Sequence, residues 1–250
     1  MEVIQEIFNS GIIFYLLLFL VAALYSSVGH GGASGYLALM ALFSFTPETM
    51  RPTALLLNIF VSLTAFLQYY RGGHFNWKLF WPFAITSIPA AFIGGLVVVD
   101  AKLYKTILGI LLLFSVIRLV GFKFNDEANI RRQNILASLI IGGIIGFLSG
   151  MIGIGGGIIL SPVILLLHWG NMKQTASVSA LFIFVNSLSG LAGLFTKSFH
   201  FSSDMVLLIV VAFAGGLAGS YTGAIKFNSS FLRKVLAFVL LIASVKLLFT

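Results

Sequence analysis

The sequence predicts an all-α polytopic membrane protein of about ten transmembrane segments, two of them short or half-helices, in two inverted five-segment repeats. Three observations carry that fold class. Of 250 residues, 59% are hydrophobic and 9% charged, with a mean hydropathy of +1.08, whereas a soluble surface carries about a quarter or more charged residues. Apolar runs of spanning length, roughly 20 residues each, recur along the chain and leave no separate soluble domain. Two glycine-rich loops, Gly29-His30-Gly31-Gly32 and Gly153-Ile154-Gly155-Gly156-Gly157, interrupt the apolar sequence at matching places, 153 − 29 = 124 residues apart.

The elements follow in order. Segment 11–28 reads as a retained span, because the preceding Met1-Glu2-Val3-Ile4-Gln5-Glu6 lacks the basic leader of a cleaved signal peptide. Segments 34–45 and 157–168 each follow a glycine loop and are about 12 residues long, too short for a full crossing at 1.5 Å per residue. Thr46-Pro47 is expected to close the first of these, and Pro52, beside Arg51, to open segment 52–70. Segments 78–98 and 103–121 complete the first half. The polar stretch 123–133 is the internal boundary, giving residues 1–124 and 125–250 as two repeats of one integral membrane domain. Segments 133–150, 157–168, 174–196, 204–225 and 231–248 make up the second.

Other pairs echo the duplication: Ala54-Leu55 with Ala180-Leu181, His74-Phe75 with His200-Phe201, and Ile117-Arg118-Leu119 with Val245-Lys246-Leu247. Five segments separate equivalent points, an odd number, so the second copy is expected to be inverted. This holds even if the first two segments form a re-entrant hairpin. Counting Lys and Arg on alternate connections sets Arg71, Lys78, Arg118, Lys123, Arg131, Arg132, Lys173, Lys226, Arg233 and Lys234 against Arg51, Lys102, Lys105, Lys197 and Lys246. The richer side is expected to be cytoplasmic, which places both termini of this multi-pass chain outside, in the cell (inner) membrane.

Composition also excludes function classes. There is no cysteine, so disulfides and thiolate metal sites are ruled out. The formal charge of +8 comes from basic residues scattered singly or in pairs around apolar spans, which topology explains better than nucleic-acid binding. All seven acidic residues lie at the start of the chain or in connections. A cation pathway usually holds an acid at membrane depth, so the polarity points to an anion.

Irregular backbone inside a membrane is tolerated only where protein buries it or it lines a water-filled cavity. Glycine lets backbone approach a ligand closely. The helices that follow, near Ser34 and Ile158, present free N–H groups and a positive dipole end to the loops. Two such starts facing each other near the midplane make an anion site without a fixed charge. The competing reading is tight helix crossing, which is assigned to Gly94-Gly95, Gly142-Gly143, Gly215-Gly216 and Gly219.

These residues also carry a resemblance. Ser27-Val28-Gly29-His30-Gly31-Gly32-Ala33 and Gly150-Met151-Ile152-Gly153-Ile154-Gly155-Gly156-Gly157, with the later Ser161-Pro162, are similar to the TauE/SafE sulfite-exporter family over essentially the whole chain. The resemblance implies a secondary transporter that exports, or in some members imports, small sulfur-containing anions such as sulfite, sulfoacetate or other sulfonates. His30 stands where the second copy has Ile154, and Ala33 where it has Gly157, so the two half-sites differ chemically.

The candidate substrate-binding residues are Gly29, His30, Gly31, Gly32, Ser34, Arg51, Asn58, Gly153, Gly155, Gly156, Gly157 and Asn186. His30 either bonds an oxyanion and exchanges a proton or is satisfied by loop carbonyls; His30→Ala is expected to weaken binding or flatten its pH dependence. Arg51 either holds a sulfonate bidentately or snorkels to the interface, and Lys173 is its weaker counterpart. Asn58 and Asn186 serve either substrate or interhelical hydrogen bonds. Gly32-Ala33-Ser34-Gly35 also matches the pattern of rhomboid intramembrane proteases, in which a serine needs a histidine base, but His74 and His200 read as loop residues and His168 ends a short helix. No catalytic or metal-binding residue and no cofactor are expected. The expected partners are a small anionic substrate and the lipid bilayer, not nucleic acid. A homodimer, proton coupling and an anion channel in place of a carrier stay open as alternatives.

Overall fold

Runs of Leu, Ile, Phe and Val in hydrocarbon leave the helix as the conformation that satisfies every peptide group internally. The computed structural model describes residues 11–27, 31–121, 130–196, 203–223 and 229–249. Among these residues there is no strand. The helices are α1 (Gly11–Ser27), α2 (Ala33–Leu42), α3 (Pro47–Arg71), α4 (Trp77–Leu96), α5 (Ala101–Gly121), α6 (Ile135–Ile152), α7 (Gly157–Leu166), α8 (Met172–Phe195), α9 (Ser203–Gly223) and α10 (Ser229–Phe249). Every expected segment is helical. Among the described residues, α3, α4, α6 and α8 are long and apolar enough to cross a membrane, while α2 and α7 have 10 residues each.

One boundary differs from expectation. Thr46-Pro47 begins α3 instead of closing α2: Thr46 is the N-cap and Pro47 occupies the first turn, where its missing N–H costs nothing. Pro52 therefore lies inside α3. Helix α2 ends earlier, at a tight turn in which Ser44 N–H bonds the Ala41 carbonyl and Phe45 N–H bonds the Met40 carbonyl, with Ser44 at φ 63. This is a Schellman closure. Helix α7 closes the same way, with His168 (φ 57) bonding Leu165 and Trp169 bonding Ile164. Each of these residues stands at the offset that separates the glycine loops.

The helices meet in paired fashion. α4 lies on α6 and α9 on α1; α4 also contacts α8, and α9 contacts α3; α3 packs on α8 and α5 on α10. Exchanging α1–α5 with α6–α10 in order maps this set of contacts onto itself.

Glycines make the closest contacts. Gly142, Gly146 and Gly150, four residues apart and so on one face of α6, rest against the Phe83, Ser87 and Ala91 carbonyls of α4. Gly215 and Gly219 of α9 rest likewise on the Phe19 and Ala23 carbonyls of α1, and Gly94 of α4 on that of Phe147 in α6. A methyl group at any of these positions would overlap a carbonyl oxygen. The packing role assigned to these glycines from sequence is therefore seen at the interfaces, although Gly143 faces only Thr86 at 3.8 Å.

The distribution of polarity is inside-out. Ile85, Leu136, Ile140 and Ile144 are 57–68% exposed, with Ile85 at 59% and Leu136 at 68%, whereas Asn58, Ser62, Asn186 and Ser187 are 0% exposed. Such a surface suits hydrocarbon around the protein and polar contacts within it.

Candidate functional site

Helices α2 and α7 start where they do because glycine alone reaches the left-handed region without steric cost. Their N-caps are Gly32, at φ 84, and Gly156, at φ 78, and neither helix has a side-chain cap. The first-turn N–H groups thus lack the partner that Ser, Asp or Asn supplies at most helix starts. Both first turns border one cavity, lined by Tyr25, Gly31, Gly32, Ala33, Ser34, Ile154, Ile158 and Ile183, with room for about one water molecule. Among the described residues no charged side chain lines it.

Two long helices bring polar groups to the loops. A Cβ built on Gly155 would meet Asn58 Nδ2 of α3 at 2.8 Å and Ser187 Oγ of α8 at 3.4 Å, and one on Gly31 would meet Ser62 Cβ of α3 at 3.3 Å. Asn58 Nδ2 also lies 3.5 Å from the Gly153 carbonyl. Asn58 Oδ1, Ser62 Oγ and Ser187 Oγ are buried without a hydrogen-bond partner. Buried oxygens of this kind are costly unless something satisfies them. These residues lie beside Gly31 and Gly155.

The remaining expected site residues are placed as follows. Ser34, in the first turn of α2, shares a 2.8 Å hydrogen bond with the Tyr25 hydroxyl of α1. Gly153, at φ 89, ends α6 against the Arg51 backbone, and Gly157 packs on Ile183. Asn186 is fully buried but donates to the Phe182 carbonyl of its own helix at 2.8 Å, and its Oδ1 has no partner. Gly29 and His30 lie outside the described residues. Lys173 is exposed at the start of α8.

Arg51 is 8% exposed, so it does not snorkel. Its Nε donates to the Gly150 carbonyl at 3.0 Å, Nη1 to Val97 at 2.9 Å, and Nη2 to both Gly94 and Gly95 at 2.7 Å. The Gly150, Gly94 and Gly95 carbonyls belong to the last turns of α6 and α4, the negative ends of two helix dipoles, and Val97 is the C-cap of α4. One guanidinium caps two helix C-termini at once, which explains how a buried cation is tolerated with no carboxylate paired to it among the described residues.

Comparison with known proteins supplies the family. The model of the sulfite exporter TauE/SafE family matches residues 14–247. The chain belongs to the TauE/SafE family. A probable membrane transporter protein of Sinorhizobium fredii, y4hK, is 35% identical over 234 residues, covering 92% of this chain and 95% of that protein. Another, MJ0441 of Methanocaldococcus jannaschii, is 28% identical over 191 residues, covering 72% and 70%. No solved structure matches. This TauE/SafE chain is a multi-pass membrane transporter and not an enzyme.

Sequence reasoning overlooked Tyr25, Ser62 and Ile183. Ile183 gives no chemical signal in sequence. Its place emerges only when the buried stretches of α3 and α8 are aligned, which sets Ser62 opposite Ser187 and Asn58 opposite Ile183.

Proposed function

We propose that this TauE/SafE protein is a secondary transporter that moves small sulfur-containing anions, such as sulfite, sulfoacetate or other organosulfonates, across the cell membrane by alternating access. The observation that carries this reading is that the uncapped first turns of α2 and α7 border one cavity. Backbone N–H groups at two positive helix ends suit an oxyanion, and the neutral side chains nearby bring no carboxylate to repel it. Asn58, Ser62 and Ser187 supply further polar groups that lack partners. The sulfur chemistry comes from the family.

In this reading the chain is two inverted five-helix repeats, residues 1–124 and 125–250, spanning the membrane ten times with the site at midplane. The paired helix contacts, and the identical closures of α2 and α7 at one offset, support it. Both termini lie outside the cytoplasm, as the Lys and Arg distribution favours. A reporter fused to Thr250 that worked only in the cytoplasm would overturn the orientation.

The substrate is tested by thermal-shift measurements on the purified protein with sulfite, sulfate, thiosulfate, sulfoacetate and short sulfonates. Stabilisation by sulfite or sulfonates and not by sulfate is expected; no response to any of them defeats the reading. Saturable counterflow in liposomes is expected of a carrier, and continuous single-channel current would replace it with an anion channel.

A further inference from the structure

We propose that Ile183 is the apolar gate of the transport site, a single side chain that seals both glycine loops together. This rests on the reading that the loops hold the substrate. Ile183 is 3% exposed and lies mid-way along α8. A Cβ built on Gly31 would meet its Cγ2 at 3.0 Å and its Cδ1 at 3.3 Å, and one on Gly155 would meet its Cγ2 at 2.8 Å. Its outer carbons press on Gly157, the first residue of α7, more closely still. One isoleucine therefore touches the loop before α2, the loop before α7 and the start of α7, and it walls the cavity that both first turns border.

Room for about one water is too little for a sulfonate, so the path opens only when this contact parts. A β-branched side chain in a helix has one strongly preferred χ1 rotamer. Ile183 is therefore held in one position on α8, and opening the site parts it from the glycine loops. The partner position sharpens its role. Across Gly155 stands Asn58, polar and with an unpartnered oxygen, at the place in α3 that Ile183 takes in α8. Ser187 Oγ of α8 also stands near Gly155, so Ile183 is an apolar contact set among polar groups of α3 and α8.

The chain has no native cysteine, which makes the gate testable by thiol labelling. Ala33→Cys, on the cavity wall, serves as the reporter, with Ile158→Cys as a second reporter on the α7 side. The probe is the anionic reagent sulfonatoethyl methanethiosulfonate, applied to purified protein without substrate. Labelling is expected to be slow with Ile183 intact, about 4-fold faster with Ile183→Val and about 50-fold faster with Ile183→Ala, following the one and three buried carbons removed. The milder Ile183→Val variant keeps the test readable if Ile183→Ala does not fold. Labelling as fast with Ile183 intact as without it, or equally slow in all three, overturns the gate. Because no transported anion is needed, that outcome is distinguishable from failure of the substrate screen.

Discussion

Replacing Arg51 with alanine separates the two roles this residue could have had. Its side chain makes four hydrogen bonds, to the carbonyls of Gly94, Gly95, Val97 and Gly150. A bond to a charged group contributes about 1.5–3 kcal/mol, but the contributions are not additive, and burying the guanidinium costs several kcal/mol in return. A net loss of about 3 kcal/mol is expected for Arg51→Ala, which for a chain of this size lowers Tm by roughly 6–12 °C. Arg51→Lys keeps the charge but not the planar fork, and is expected to fall roughly midway. The assay is thermal unfolding of the purified protein without ligand, with sulfonate binding measured in parallel. If Arg51→Ala leaves the ligand-free Tm unchanged while affinity falls more than about tenfold, the guanidinium holds substrate and the capping role is refuted.

Three further outcomes follow from particular contacts. Gly146→Ala places a methyl group against the Ser87 carbonyl and should cost about 1–3 kcal/mol or more, whereas Gly143→Ala, with Thr86 Cβ at 3.8 Å, should be neutral or slightly stabilising; equal melting temperatures for the two would contradict the packing. Asn58→Leu removes a buried, unpartnered oxygen, so ligand-free stability should hold or rise while sulfonate binding weakens about tenfold; unaltered binding isotherms would take Asn58 out of the site. Gly156→Ala must adopt φ near 78 and meet Ile145 Cγ2 at 2.6 Å, so about 1–2 kcal/mol of strain is expected, with loss of uptake in liposomes; normal uptake would show that the left-handed cap is dispensable.

Much of the architecture was legible in the sequence, for identifiable reasons. Apolar runs can satisfy their backbone only as helices, and the glycine loops marked where α2 and α7 begin because Gly32 and Gly156 sit at positive φ. The end of α2 was harder to read. Its left-handed closure falls on Ser44, with no glycine to mark it, so Thr46-Pro47 looked like a stop signal when it is the start of α3. Asn58 and Ser34, which the sequence singled out as polar residues in apolar spans, are buried beside the glycine loops. Ile183 was not singled out, because one isoleucine among many carries its role only through what it touches.

The sequence by itself determined the helical membrane fold and the duplicated glycine loops. These follow from composition, spacing and local backbone preference, which act over a few residues. Only the tertiary structure shows what Arg51 and Ile183 touch. The carbonyls that engage Arg51 lie 43 to 99 residues away along the chain, and Ile183 meets glycines from both halves. Whether a donor faces substrate or a helix end, and whether an apolar side chain faces lipid or the site, depends on where distant helix ends are brought together, and local sequence carries no record of that.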